Sequence, residues 1–235
     1  MKFSGTFIIV VALFITVLIT SNIIAVKLIQ VATLPGQFLG SNLVVLPAAI
    51  VIFPISYIIG DVLTEVYGFR TARGVIWLGF LCSLLVAVSL WLGGILPSVV
   101  YWEDQEAYQA ILGRFPLILL GSFAAYLMGE FSNSATMALL KFGTKGRFLW
   151  LRTISSTVVG QGLDSFVFIF IAFGVSGVLG PEALLRTALF QWWAKIAYEV
   201  LATPLTYAVV GYLKKKEQMD VYDAPRSLNP LGVFA

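Results

Sequence analysis

The chain has 235 residues, 59% hydrophobic and 11% charged, whereas soluble domains carry about 25% charged residues; this excludes an ordinary soluble domain and leaves little length for one beside the apolar runs. There is no histidine, which removes the commonest general base and the commonest metal ligand. The net charge of +3 comes from short loops and indicates no nucleic-acid partner.

A spanning helix needs about 20 mostly apolar residues. Residues 6–26 are the first candidate. The run is too long for a signal-peptide core, and no small-residue cleavage site follows it. Pro35-Gly36 and Gly40 mark a loop. A second span is predicted over residues 42–59, continuing as helix through Glu65, with a kink at Pro54. The third covers residues 74–96 and holds the single Cys82, so no intramolecular disulfide can form. Pro97 and the acids Glu103, Asp104 and Glu106 make a loop. Spans four, five and six follow at residues 116–140, 153–177 and 189–212. Lys214-Lys215-Lys216 open a charged tail, in which Pro225 and Pro230 argue against a packed element. The expected organisation is a six-helix transmembrane domain over residues 1–213 and a cytoplasmic tail over 214–235. Eleven lysines and arginines fall in segments on one side of this topology and three, Lys27, Arg114 and Arg186, on the other. By the positive-inside rule both termini face the cytoplasm.

Charge inside hydrocarbon is costly and marks function by default. Asp61 and Glu65 stand at i, i+4 at the end of the second span and share one helix face. Two readings stay open: a solvated helix end paired to Arg70 and Arg73, or acids facing a cavity. Deeper sites lie in the later spans. Glu130 and Asn133 are one turn apart in the fourth, Gln161 and Asp164 in the fifth, and Lys195 and Glu199 in the sixth. Asn22 follows Ser21 near the end of the first span. Lys195 can pair with Glu199 on its own helix or with Asp164 across the bundle, and some of these groups then only hold helices together. Glu130, Asp164 and Glu199 nevertheless outnumber Lys195. Surplus acid suits a ligand rich in hydrogen-bond donors, or a site that takes up protons. Tyr126 and Trp192 lie one turn from Glu130 and Lys195 and can stack a flat ring or serve as interfacial aromatics. Ser21-Asn22 and Ser132-Asn133 sit at comparable places in spans one and four, too little to establish an internal repeat. Gly60-Asp61 lacks the preceding glycine of an intramembrane aspartyl protease, and no phosphate-binding glycine loop occurs.

Pro54-Ile-Ser-Tyr-Ile-Ile-Gly-Asp61, Glu65-Val-Tyr-Gly-Phe-Arg70 and Ala72-Arg73 resemble the signature of the queuosine precursor transporter family, also called a vitamin uptake family. Asn133-Ser134, Arg152-Thr-Ile-Ser-Ser156, Gln161-Gly-Leu-Asp164, Lys195 with Glu199, and Pro204-Leu-Thr-Tyr207 extend the resemblance over roughly residues 20–220. It implies an all-α membrane fold of six transmembrane helices, similar to the membrane component of energy-coupling-factor vitamin transporters. It implies import across the inner membrane of 7-deazaguanine bases, such as 7-cyano-7-deazaguanine, 7-aminomethyl-7-deazaguanine or queuine, without a cofactor. The expected partners are that small molecule and the lipid bilayer; a homodimer stays open. The alternatives are a vitamin-capture subunit served by ATPase partners, and an intramembrane enzyme, which the missing histidine disfavours. The expected substrate-binding set is Asn22, Asp61, Glu65, Tyr126, Glu130, Asn133, Gln161, Asp164, Trp192, Lys195 and Glu199.

Overall fold

The computed structural model describes residues 4–143 and 149–218, with the side chains at 57, 69, 130, 131, 133–135, 137–139, 141–143 and 149–153 outside the description. Ser4 Oγ accepts the amide of Phe7 at 3.0 Å and so caps helix α1, Gly5–Ile24. Strands β1, Leu28–Phe38, and β2, Ser41–Pro47, then form an antiparallel hairpin. Its turn residues Leu39 and Gly40 both have positive φ, 46° and 78°, the type I′ geometry that suits the strand twist.

This hairpin corrects the second predicted span. Residues 42–47 are strand. Val44 and Val45 are β-branched, and Pro47 holds the residue before it extended. After a 3₁₀ turn, Ala48–Val51, helix α2 runs only from Phe53 to Tyr67. Pro54 lies in its first turn, where a missing N–H leaves no bond unmade. It starts the helix and does not kink it.

Gly68 ends α2 at φ 86°, ψ 156°, a conformation closed to residues with a side chain. Helix α3, Phe69–Ile95, begins at once. The short helix α4, Gln105–Ile111, folds back over the end of α3. Gln105 and Gln109 donate to Gly94 O at 2.9 and 2.7 Å, and Tyr108 to Leu90 O at 3.0 Å. The bonds to Gly94 O satisfy a carbonyl that a helix C-terminus otherwise leaves open. Helix α5, Phe115–Gly143, pairs with α6, Leu149–Ile169, which ends in a π-helical turn at Phe170–Gly174. Helix α7, Pro181–Glu217, spans 37 residues with Pro204 inside it.

By length and composition, 5–24, 70–95, 105–129, 154–174 and 181–217 can each cross a membrane; α2 is a shorter sixth helix of the bundle, roughly 22 Å long. Leu81, Leu85, Trp91 and Leu201 are among the large apolar side chains left on the outside, where lipid would meet them. The protein is a helical, multi-pass membrane protein. Inside, one apolar cluster joins α1, α2 and α3 around Leu63, Val66 and Phe80. A second joins α5, α6 and the start of α7 around Ile118, Ile169 and Ala188. Along α5, Gly121, Ala125 and Gly129 recur every four residues and admit α6 closely. A Cβ on Gly129 would lie 2.9 Å from Asp164 Cβ and 3.1 Å from Gly160 O, the small-residue contact common between membrane helices.

The start of α1, the end of α2 and the end of α7 share one end of the bundle. Phe7 and Tyr67 rings pack edge-on at 4.9 Å, and Lys214 bonds Glu65. The hairpin closes the other end, where Phe38 packs on Phe190 and Arg186 donates to Leu39 O.

Candidate substrate cavity

A cavity of about 610 Å³ lies between the two apolar clusters, lined from α1, α2, α3, α5, α6 and α7. That volume is in the range of small-molecule sites. The last turn of α1 brings Ser21 and Asn22 to it. Ser122 Oγ on α5 donates to Asn22 Oδ1 at 2.6 Å. The bond fixes the amide and leaves its Nδ2 without a partner, although Asn22 is only 2% exposed. Gln161 Oε1 on α6 and Gln191 Oε1 on α7 line the same cavity and are likewise buried without partners among the described residues. Each such orphan costs roughly 1–3 kcal/mol, so three around one cavity suit a ligand that completes them.

Three acid-bearing contacts join α7 to its neighbours. Nearest the hairpin end, Lys195 forms an ion pair with Asp164 of α6 and holds its Nζ 4.9 Å from the centre of the Phe53 ring. The open choice of partner for Lys195 resolves to Asp164. Next, the side chains of Glu199 and Asp61 approach each other. Last, Lys214 donates to Glu65 at 2.6 Å, with the Glu65 side chain 56% exposed. Glu65 therefore turns to α7 and borders the cavity, the second of the two readings left open above. All six side chains border the cavity.

Of the expected set, Asn22, Asp61, Glu65, Tyr126, Gln161, Asp164, Lys195 and Glu199 line this one cavity. Glu130 and Asn133 belong to α5, but their side chains lie outside the described residues. Trp192 is placed elsewhere. Its indole N–H donates to Val158 O at 2.8 Å, and its ring lies against Gly162, which has no side chain to hold it off. The ring wedges α7 to α6 and offers the cavity no stacking plane. The aromatic walls instead include Phe53, Phe80, Tyr126 and Phe168, with Phe80 and Tyr126 rings 5.2 Å apart. Sequence reasoning missed Ser122 and Gln191. Each stands four residues before a residue it did select, Tyr126 and Lys195, so helical spacing was the available signal.

Three comparisons bear on identity. Residues 47–209 match the family model described as "Putative vitamin uptake transporter". A "Probable queuosine precursor transporter" of Bacillus subtilis (strain 168) is 30% identical over 161 residues, covering 67% of this chain and 69% of the relative. A "Queuosine precursor transporter" of Escherichia coli (strain K12) is 26% identical over 165 residues, covering 68% and 66%. No solved structure matches the chain. The matched region begins at Pro47, the last residue of the hairpin, and contains the three acid-bearing contacts except Lys214. The chain belongs to the vitamin uptake transporter family, a family of membrane transporters and not of enzymes.

Proposed function

We propose that the protein imports queuosine precursors, 7-deazaguanine bases such as 7-cyano-7-deazaguanine, 7-aminomethyl-7-deazaguanine or queuine, across the inner membrane for the salvage of tRNA queuosine. The carrying observation is the trio of buried, unpartnered amide atoms in the cavity wall. A guanine-like edge presents a carbonyl oxygen for Asn22 Nδ2 and N–H groups for Gln161 Oε1, Gln191 Oε1 and the nearby carboxylates. The flat ring suits the Phe80, Tyr126 and Phe168 walls. The printed names of both relatives agree with this substrate. In this reading both termini are cytoplasmic and residues 214–235 form the tail. Support comes from Arg70, Arg73 and Lys214–Lys216 gathering at the end of the bundle where α1 begins and α7 finishes.

The test is uptake in a cell that lacks both precursor synthesis and its own importer, read as queuosine in tRNA, with each base supplied in turn. At least one base restores queuosine. Asn22→Ala and Gln191→Leu each weaken uptake at equal membrane level, because a hydrogen bond to the base is lost. Restoration by no base, or unchanged uptake in both variants, overturns the reading.

A further inference from the structure

We propose that Ser122 of α5 is a positioning residue for substrate selection. By holding the oxygen of the Asn22 amide it leaves the amide nitrogen for the ligand, so the cavity takes bases with a 6-oxo group and rejects their 6-amino counterparts. The proposal rests on the import reading above and adds which group of the base is selected and which residue sets the choice.

The amide of an asparagine is a donor at one end and an acceptor at the other. Turned over, it fills the same space with the opposite pattern. A site that reads a ligand through an amide therefore needs something to hold it one way round. Ser122 Oγ lies 2.6 Å from Asn22 Oδ1. That length is typical of O–H···O bonds, whereas N–H···O bonds centre on about 2.9–3.0 Å. The serine hydroxyl is thus the donor and the amide oxygen the acceptor. Hydroxyls inside helices often turn back to a carbonyl of the preceding turn, as those of Thr64, Ser89 and Thr203 do. Ser122 spends its proton on a different helix, at the last turn of α1.

Both residues line the cavity. Asn22 is buried, and its Nδ2 has no partner among the described residues. On α6 and α7 the polarity is reversed, since the unpartnered atoms of Gln161 and Gln191 are oxygens. One donor and two acceptors call for a ligand with one acceptor and two donors. A 7-deazaguanine supplies these along one edge, as its 6-oxo oxygen, its N1–H and its 2-amino group. A 2,6-diamino base of the same shape sets an N–H against the N–H of Asn22 and a bare nitrogen against a glutamine oxygen. Buried polar groups left unmatched in this way are what give a hydrogen-bonding site its selectivity. Tyr126, one turn along α5 from Ser122, adds an aromatic face to the same lining.

The test is a titration of the detergent-purified protein with 7-cyano-7-deazaguanine, 7-aminomethyl-7-deazaguanine and the 2,6-diamino counterpart of the cyano base. The wild type should bind both oxo bases roughly tenfold or more tighter than the diamino base. Ser122→Ala frees the amide to turn, so binding of both oxo bases should weaken and the preference should largely disappear. Asn22→Asp keeps an acceptor for Ser122 but puts an oxygen in place of Nδ2, and should shift the preference toward the diamino base. A purely structural Ser122 would weaken all three bases alike; an unchanged ratio in Ser122→Ala overturns the proposal and leaves the import reading intact. A wild type that does not discriminate does the same, as does a loss confined to the cyano base, which puts Asn22 at the 7-substituent. If Ser122→Ala does not fold, an unchanged preference in Asn22→Asp overturns the proposal by itself. Binding of none of the three bases by the wild type overturns the import reading and the proposal with it.

Discussion

Replacing Lys195 by methionine should destabilise the protein through Asp164. Lys195 is 5% exposed and Asp164 9%, and the two are ion-paired. Removing one partner of a buried pair costs about 3–5 kcal/mol, mostly because the remaining charge loses its counter-charge. Asp164 borders a cavity that can admit water, so the lower figure applies, about 3 kcal/mol. For a chain of this size each kcal/mol shifts the melting midpoint by about 2–4 °C, giving a fall of roughly 6–12 °C. Adding Asp164→Asn removes the charge that Lys195 had balanced and should recover part of that loss. The assay is thermal unfolding of the detergent-purified single and double variants, followed by fluorescence-detected gel filtration. A double variant that melts at the sum of the two single losses refutes the argument, because additivity means the groups do not interact.

Gly129→Val should lower the melting midpoint, since its first side-chain atom already meets Asp164 Cβ at 2.9 Å and overpacking costs about 1–3 kcal/mol; an unchanged midpoint contradicts the close α5–α6 contact. Glu65→Gln should leave stability within about 1 kcal/mol, because the pair with Lys214 is largely exposed. A fall as large as that of Lys195→Met would show that this contact is not screened. In a Cys82→Ser background, Gly36→Cys should react with a membrane-impermeant maleimide in intact cells, and Lys215→Cys only after permeabilisation; the opposite pattern reverses the orientation.

Helices were legible where a long apolar run had only one way to satisfy its backbone in lipid. The hairpin was not, because residues 42–47 are as apolar as the helix that follows and hydropathy does not see backbone geometry. Val44-Val45 and Leu46-Pro47 held the local signal. In the cavity, Asp61, Asp164, Lys195 and Glu199 stood out because charge is rare in such runs. Ser122 and Gln191 carry no charge and were lost among neighbours. Two assignments depended on tertiary distance and so lay beyond any spacing rule. Lys195 chose Asp164 over Glu199 one turn away, and Trp192 turned to Val158 and Gly162. The kink assigned to Pro54 failed for a different reason: the same residue begins helices and bends them, and only the true start of α2 distinguishes the two.

Helix α7 is a strut pinned at both ends. Near one end Arg186 holds the hairpin at Leu39 O; near the other Lys214 holds the end of α2 at Glu65. The two fastenings are about 42 Å apart along the helix axis, longer than the roughly 30 Å of a hydrocarbon core, so the strut links two water-facing layers. A rigid strut would transmit any movement of the hairpin directly to the opposite mouth. Pro204 supplies a weak point between them: lacking an N–H, it leaves the carbonyl of Val200 without its helical bond, and bending concentrates there. The weak point lies five residues beyond Glu199, within the stretch of α7 that lines the cavity. The fastened length therefore divides into an arm on the hairpin side, carrying Gln191, Lys195 and Glu199, and a shorter arm on the Lys214 side, and a bend at Pro204 would change the angle between the parts of the cavity wall that the two arms carry.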